Sequence, residues 1–147
     1  MYTLSICDGH NASVSLSKDG EIVFAISEER LNRQKNFFGW PTQSIDYISK
    51  HFVDISKLDN VVMYRDSPAD YLAFIIPEHL SKKQHQWLWK RTISRISIRC
   101  RGLINNKFVK SILTTYYSNK LNVSHEKIRY LNHHQAHAYA AFSEINT

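Results

Sequence analysis

The sequence predicts an α/β fold, a mixed sheet that opens with three antiparallel strands and carries helices on its surface. Three observations lead there. Residues 12–17 alternate, Ala12, Val14 and Leu16 against Ser13, Ser15 and Ser17, as a strand with one buried face must. Asp19-Gly20 comes next, and an Asp-Gly pair between two β-like runs is a hairpin signal, because the two-residue turns that match strand twist need positive φ. Further on, Ile45, Ile48 and Phe52 recur at helical spacing ahead of the apolar run Val61-Val62-Met63, so a helix and another strand follow the hairpins.

In chain order, Tyr2 to Cys7 reads as the first strand and ends at the polar turn Asp8-Gly9-His10-Asn11. The alternating strand 12–17 and its return, Ile22 to Ser27, complete the antiparallel opening. Pro41 suits the first position of a helix running from Thr42 to Phe52, with Tyr47 and His51 flanking its apolar stripe. Val53 to Lys57 turns the chain into a buried strand, Asn60 to Tyr64. Residues 69–81 fit no regular element, since Pro77 interrupts their apolar content. From Ser81 the spacing becomes helical, bends at Gly102, and resumes through Ile104, Phe108, Ile112, Leu113 and Tyr116 until about Leu121-Asn122. A short strand over 127–131 leads to a helix that Asn132 is suited to cap.

A chain of 147 residues with 43% hydrophobic content can form one compact domain. Two cysteines, Cys7 and Cys100, are too few for a disulfide framework, no basic leader precedes the first strand, and the apolar runs are too short to span a bilayer. A cytoplasmic protein is expected, with no membrane partner. The net charge of +6 is uneven: no Asp or Glu occurs between Glu78 and Glu126, an interval that holds ten lysines and arginines from Lys82 to Lys120. Arg91, Arg95 and Arg99, four apart, form a basic ridge. Such a block attracts nucleic acid or an anionic substrate, or is a solvated face.

Three stretches carry chemistry. In the turn after the first strand, Gly9 permits close backbone approach, and Asp8, His10, Asn11 and Ser13 offer polar groups that can wrap a phosphate; the same residues suit an ordinary polar turn. Ser27-Glu28-Glu29-Arg30-Leu31-Asn32-Arg33-Gln34-Lys35 is a dense charge cluster, in which Glu28 or Glu29 can pair with Arg30 or Arg33 and an arginine can grip a phosphate. The aromatic loop Asn36-Phe37-Phe38-Gly39-Trp40 behind it is expected to pack on a neighbour. Finally, His133 and His137 stand four apart, one face of a helix, where two imidazoles reach one metal ion; they equally suit a half-buried helical slot, and a site needs further ligands.

Taken together, these motifs resemble the NodU/CmcH-type carbamoyltransferase family. Asp8-Gly9-His10-Asn11-Ala12-Ser13 is similar to its GHDAS-type loop, with Asn11 where aspartate is usual. Ser27 to Leu31 and Arg33 to Lys35, followed by the Phe/Trp-Pro segment to Pro41, resemble its EEERF-x-R-x-K block, and Asn132 to Phe142 its HHxAHAxSAF motif. The resemblance implies the first lobe of an actin-like, ribonuclease-H-like ATPase fold. It implies an enzyme that uses ATP and a divalent metal, iron among the candidates, to move a carbamoyl group from carbamoyl phosphate to a hydroxyl of a small-molecule acceptor. His133 and His137 are then the metal pair and His10 the catalytic group beside carbamoyl phosphate. Gly9, Asn11, Ser13, Arg30, Arg33 and Lys35 are the cofactor and anion contacts. Residues 1–147 are expected to be an incomplete N-terminal lobe with a helical insert at 81–120, inactive alone unless a partner chain or self-association covers the missing lobe. The contrasting expectation is a basic nucleic-acid-binding or regulatory protein derived from that fold.

Overall fold

A computed structural model of the chain describes residues 1–9, 11–64 and 106–131. The chain divides into two compact units, one of Met1–Asp66 with Tyr117–Thr147 and one of Ser67–Tyr116. Among the described residues of the first unit are five strands: β1 (Tyr2–Cys7), β2 (Ser13–Lys18), β3 (Glu21–Ser27), β4 (Asn60–Tyr64) and β5 (Ile128–Leu131). They form a single sheet in the order β3-β2-β1-β4-β5. The β1–β2 and β2–β3 pairs are antiparallel, whereas β4 joins β1 in parallel and β5 joins β4 in parallel. The sheet is therefore mixed, and the antiparallel opening is only three-fifths of it.

Turn chemistry explains the hairpin. Asp19 and Gly20 have φ of 54° and 93°, the doubly positive geometry that tight hairpins need. β3 lies at the sheet edge and carries a bulge: Leu16 faces Phe24 while Ser17 faces Ile22, leaving Val23 between. The register then sorts the side chains into two faces. Leu4, Ile6, Val14, Leu16, Val61, Met63 and Ile128 point to one side and are buried. That face receives α2 (Thr42–His51), whose Ile45 and Ile48 are buried, each contributing about 1.5–3 kcal/mol by leaving water. Phe24 stacks on Tyr47 at 5.4 Å and meets Phe52 at 4.6 Å.

The connections differ in detail from expectation. Pro41 is the residue before α2, not its first helical residue, and has no side chain that could cap the helix. A one-turn helix, α1 (Glu29–Asn32), follows β3, and a 3₁₀ turn at Ile55–Lys57 leads into β4. The third helix, α3 (Asn106–Leu121), begins in the second unit and ends in the first. Within it the Thr114 and Thr115 hydroxyls donate to the carbonyls of Lys110 and Ser111, the i−4 bond typical of mid-helix threonine. Of the helical insert expected over 81–120, residues 81–105 lie outside the described residues, as does the expected helix opening near Asn132. Among the described residues no helix is long and apolar enough to cross a membrane.

Candidate functional site

The opposite face of the sheet is built of small polar residues. Pairing sets Ser5 beside Ser15 and Ser15 beside Ala25, and sets Cys7 beside Ser13 and Ser13 beside Ser27. Because alternation gives all of these one direction, the hydroxyls of Ser5, Ser13, Ser15 and Ser27 share a surface. An open hollow of about 760 Å³ lies over it, lined also by Asn11 and Arg30. Hydroxyls, an amide and a guanidinium around one depression make a set of donors suited to an anion.

Local structure explains how Asn11 and Arg30 reach it. Asn11 takes a left-handed conformation, φ 55°, which asparagine tolerates better than most residues, and this closes the turn between β1 and β2. The ends of that turn are tied to the aromatic loop: Gly39 N–H donates to the Gly9 carbonyl at 3.3 Å, and Ala12 N–H to the Phe37 carbonyl at 3.1 Å. Arg30 rides on α1, where the N–H groups of Leu31 and Asn32 both donate to the Glu28 carbonyl at 3.0 Å.

The two acids of the charge cluster do not pair with its arginines. Glu28 is 2% exposed and serves as the missing cap of α2: its carboxylate accepts from Gln43 N–H at 3.0 Å, Ser44 N–H at 2.8 Å and Ser44 Oγ at 2.6 Å. These are donors of the helix's first turn, where backbone N–H groups lack intrahelical partners and negative charge is favoured. Glu29 accepts from Asn36 N–H at 2.9 Å, fixing the chain after Arg33, itself left-handed at φ 60°. Both acids thus hold the turn that presents Arg30.

A buried polar stack stands beneath the loop. Asp8, 8% exposed where β1 ends, accepts from the Tyr117 hydroxyl at 2.7 Å. The Tyr117 ring stacks on Trp40, centroids 5.6 Å apart at 18°, and the Lys120 ammonium lies 4.6 Å from the Trp40 ring centre. The aromatic loop packs on a neighbour as expected, and the neighbour is the end of α3.

Of the residues nominated from sequence, Asn11, Ser13 and Arg30 meet at the hollow. Gly9 supports the turn, while Arg33 and Lys35 are exposed and do not line the hollow. His10, His133 and His137 lie outside the described residues, and among the described residues no three His, Cys, Asp or Glu side chains gather as metal ligands. Sequence reasoning passed over Ser5, Ser15 and Ser27, the capping role of Glu28, and Tyr117. For Glu28 one signal was available: a proline before a helix implies a cap supplied from elsewhere.

Relatives bear on this arrangement. An uncharacterised protein of Methanocaldococcus jannaschii is 64% identical over 45 residues, 31% of this chain and 9% of its own. An uncharacterised protein of Synechocystis is 26% identical over 90% of this chain and 21% of its own. The nodulation protein NolNO of Sinorhizobium fredii is 26% identical over 91% of this chain and 17% of its own. This chain thus spans between 9% and 21% of the curated relatives it matches. The family model for the carbamoyltransferase N-terminus matches residues 4–145, nearly every residue from β1 onward, and the chain belongs to that family.

Proposed function

We propose that this chain forms the anion-binding part of an O-carbamoyltransferase, which uses ATP and carbamoyl phosphate to carbamoylate a hydroxyl of a small-molecule acceptor. The observation that carries the reading is the meeting of Asn11, Ser13 and Arg30 around one hydroxyl-lined hollow. Arg30 supplies the charge and a fork of N–H donors for phosphoryl oxygens; Asn11 and Ser13 supply neutral donors that fix their orientation. Gly9 keeps the turn open to close approach, and the exposed Arg33 and Lys35, a few residues beyond Arg30 in sequence, are assigned as further positive charge for the anion.

His10, between Gly9 and Asn11, is assigned to the carbamoyl phosphate, as the group that assists proton movement or stabilises developing negative charge. His133 and His137 are assigned as the metal pair on their sequence spacing of four, which would bring both to one face if the segment is helical. A divalent metal, iron among the candidates, would supply positive charge to offset phosphoryl oxygens when held there. A mixed sheet opening with antiparallel strands and continuing in parallel is in keeping with the first lobe of an actin-like ATPase fold, with residues 81–120 as a helical insert in it. Because relatives are several times longer, activity is assigned to a two-lobed assembly, completed by further chain or a partner, and not to these residues alone. The cytoplasm, which supplies ATP and carbamoyl phosphate, is its expected setting. Of the basic block on which the nucleic-acid reading rests, Lys107, Lys110 and Lys120 are described, the first two exposed and the last over Trp40.

The proposed chemistry hydrolyses carbamoyl phosphate to carbamate and phosphate, and carbamate then displaces pyrophosphate from ATP to give a carbamoyl-adenylate. The test is therefore pyrophosphate release from ATP by the full-length protein, with and without carbamoyl phosphate. Arg30→Ala is expected to raise the KM for carbamoyl phosphate about tenfold or more, the worth of one charge-assisted contact, while Arg33→Ala changes it less than about threefold. Absence of carbamoyl phosphate-dependent turnover, or a larger loss in Arg33→Ala than in Arg30→Ala, rejects the reading.

A further inference from the structure

We infer that Tyr117 is a positioning residue for the turn after β1, holding Asp8 by its hydroxyl and held in turn by Trp40. The inference rests on the functional reading above for its effect on rate, but not for its effect on the turn. Three observations converge. Tyr117 is 1% exposed, and its hydroxyl reaches a buried carboxylate, Asp8 Oδ2, at 2.7 Å. A phenylalanine would fill the same volume; a donor aimed at a carboxylate does more, because a buried oxygen that loses one of its donors is costly where it stands and strains the backbone that carries it toward a new position. Asp8 is the residue from which Gly9 and Asn11 depart, so its orientation sets the direction of the turn.

The ring of Tyr117 has little freedom of its own. Trp40 stacks on it at 5.6 Å, and the loop containing Trp40 also receives Ala12 N–H at Phe37 and sends Gly39 N–H to Gly9. The turn is thus held at both ends by the aromatic loop and at its root by Tyr117, and the same loop fixes Tyr117. Such closed support keeps a binding turn within the narrow tolerance that reaction geometry needs.

The experiment uses the full-length protein and the variants Tyr117→Phe, Asp8→Ala and their combination. Tyr117→Phe is expected to lower kcat about ten- to a hundredfold with KM within about threefold, the signature of misplacement in a site that still binds. In the Asp8→Ala background it is expected to cause no further loss, since the hydroxyl acts through that carboxylate. Amide exchange of a peptide covering residues 7–13 is expected to quicken about tenfold in Tyr117→Phe, while a peptide from α2 exchanges as in the wild type. An unchanged kcat, an equal loss in the Asp8→Ala background, or unchanged exchange overturns the inference. If the wild type shows no carbamoyl phosphate-dependent turnover yet exchange still quickens, the functional reading fails and the hold on the turn stands. Should Tyr117→Phe not fold, Trp40→Leu, which removes the ring stacked on Tyr117 and lying under Lys120, is expected to quicken exchange in the same peptide while Lys120→Met is not, and unchanged exchange in Trp40→Leu overturns the inference equally.

Discussion

Replacing Glu28 by alanine tests how the turn bearing Arg30 is built. Its carboxylate accepts three hydrogen bonds, from Gln43 N–H, Ser44 N–H and Ser44 Oγ. The three do not count equally. Gln43 is exposed, so water replaces the lost acceptor at little cost, whereas Ser44 is 0% exposed and its N–H is stranded. A buried donor without a partner costs about 1–3 kcal/mol, and loss of a helix cap about 0.5–2 kcal/mol; the two overlap, since both describe the same first turn. Glu28→Ala is therefore expected to destabilise by about 1–3 kcal/mol. Glu28→Gln keeps one acceptor but turns an NH₂ toward a donor, and is expected to cost about 1–2 kcal/mol. Urea denaturation followed by far-ultraviolet circular dichroism, with Ser44→Ala completing a double-mutant cycle, measures both. A loss below about 1 kcal/mol for Glu28→Ala, or strict additivity with Ser44→Ala, would refute the reasoning.

Two further outcomes follow from the chain. The Asp54 carboxyl is held below its ordinary value of 3.8 chiefly by the backbone N–H of Ser56 and then by its hydroxyl, at 2.9 and 2.8 Å. A carboxyl depressed on folding stabilises above its unfolded pKa and ceases to do so as pH falls through the folded one, so this contribution fades only in acid below pH 3.8. Ser56→Ala should move its NMR titration midpoint upward while leaving it below the ordinary value, and an unmoved midpoint contradicts the assignment. Separately, the His133→Ala/His137→Ala double variant of the full-length protein is expected to lose its divalent metal, as measured by elemental analysis, and unchanged metal content removes these histidines from the site.

The parts legible in sequence were those whose signal is local. Alternation over 12–17 and the Asp19-Gly20 pair sufficed for the hairpin, because period and turn chemistry are written in adjacent residues. The same holds for α2 and β4. Strand order was not legible: nothing near Asn60 says that β4 lies beside β1, since parallel pairing is settled by packing across the core. Glu28 illustrates a second limit. Beside Arg30 in sequence it reads as half of an ion pair, yet burial against Ser44 gives it backbone partners instead. The serines of β2 read only as the polar half of an alternating strand; register shows that Ser5 and Ser27 extend them into a lined surface. Asp8 and Tyr117 lie 109 positions apart, and no periodicity relates them.

The bulge in β3 has a consequence for how the protein keeps to itself. Edge ribbons with free amides are templates on which other chains polymerise, and many proteins guard them with lysine or proline. The stretch Glu21–Ser27 contains neither, and Ile22 and Val23 are 73% and 44% exposed. Among the described residues, the irregularity at Val23, with the exposed Glu21 at the strand's start, breaks the even ladder that an incoming ribbon would need.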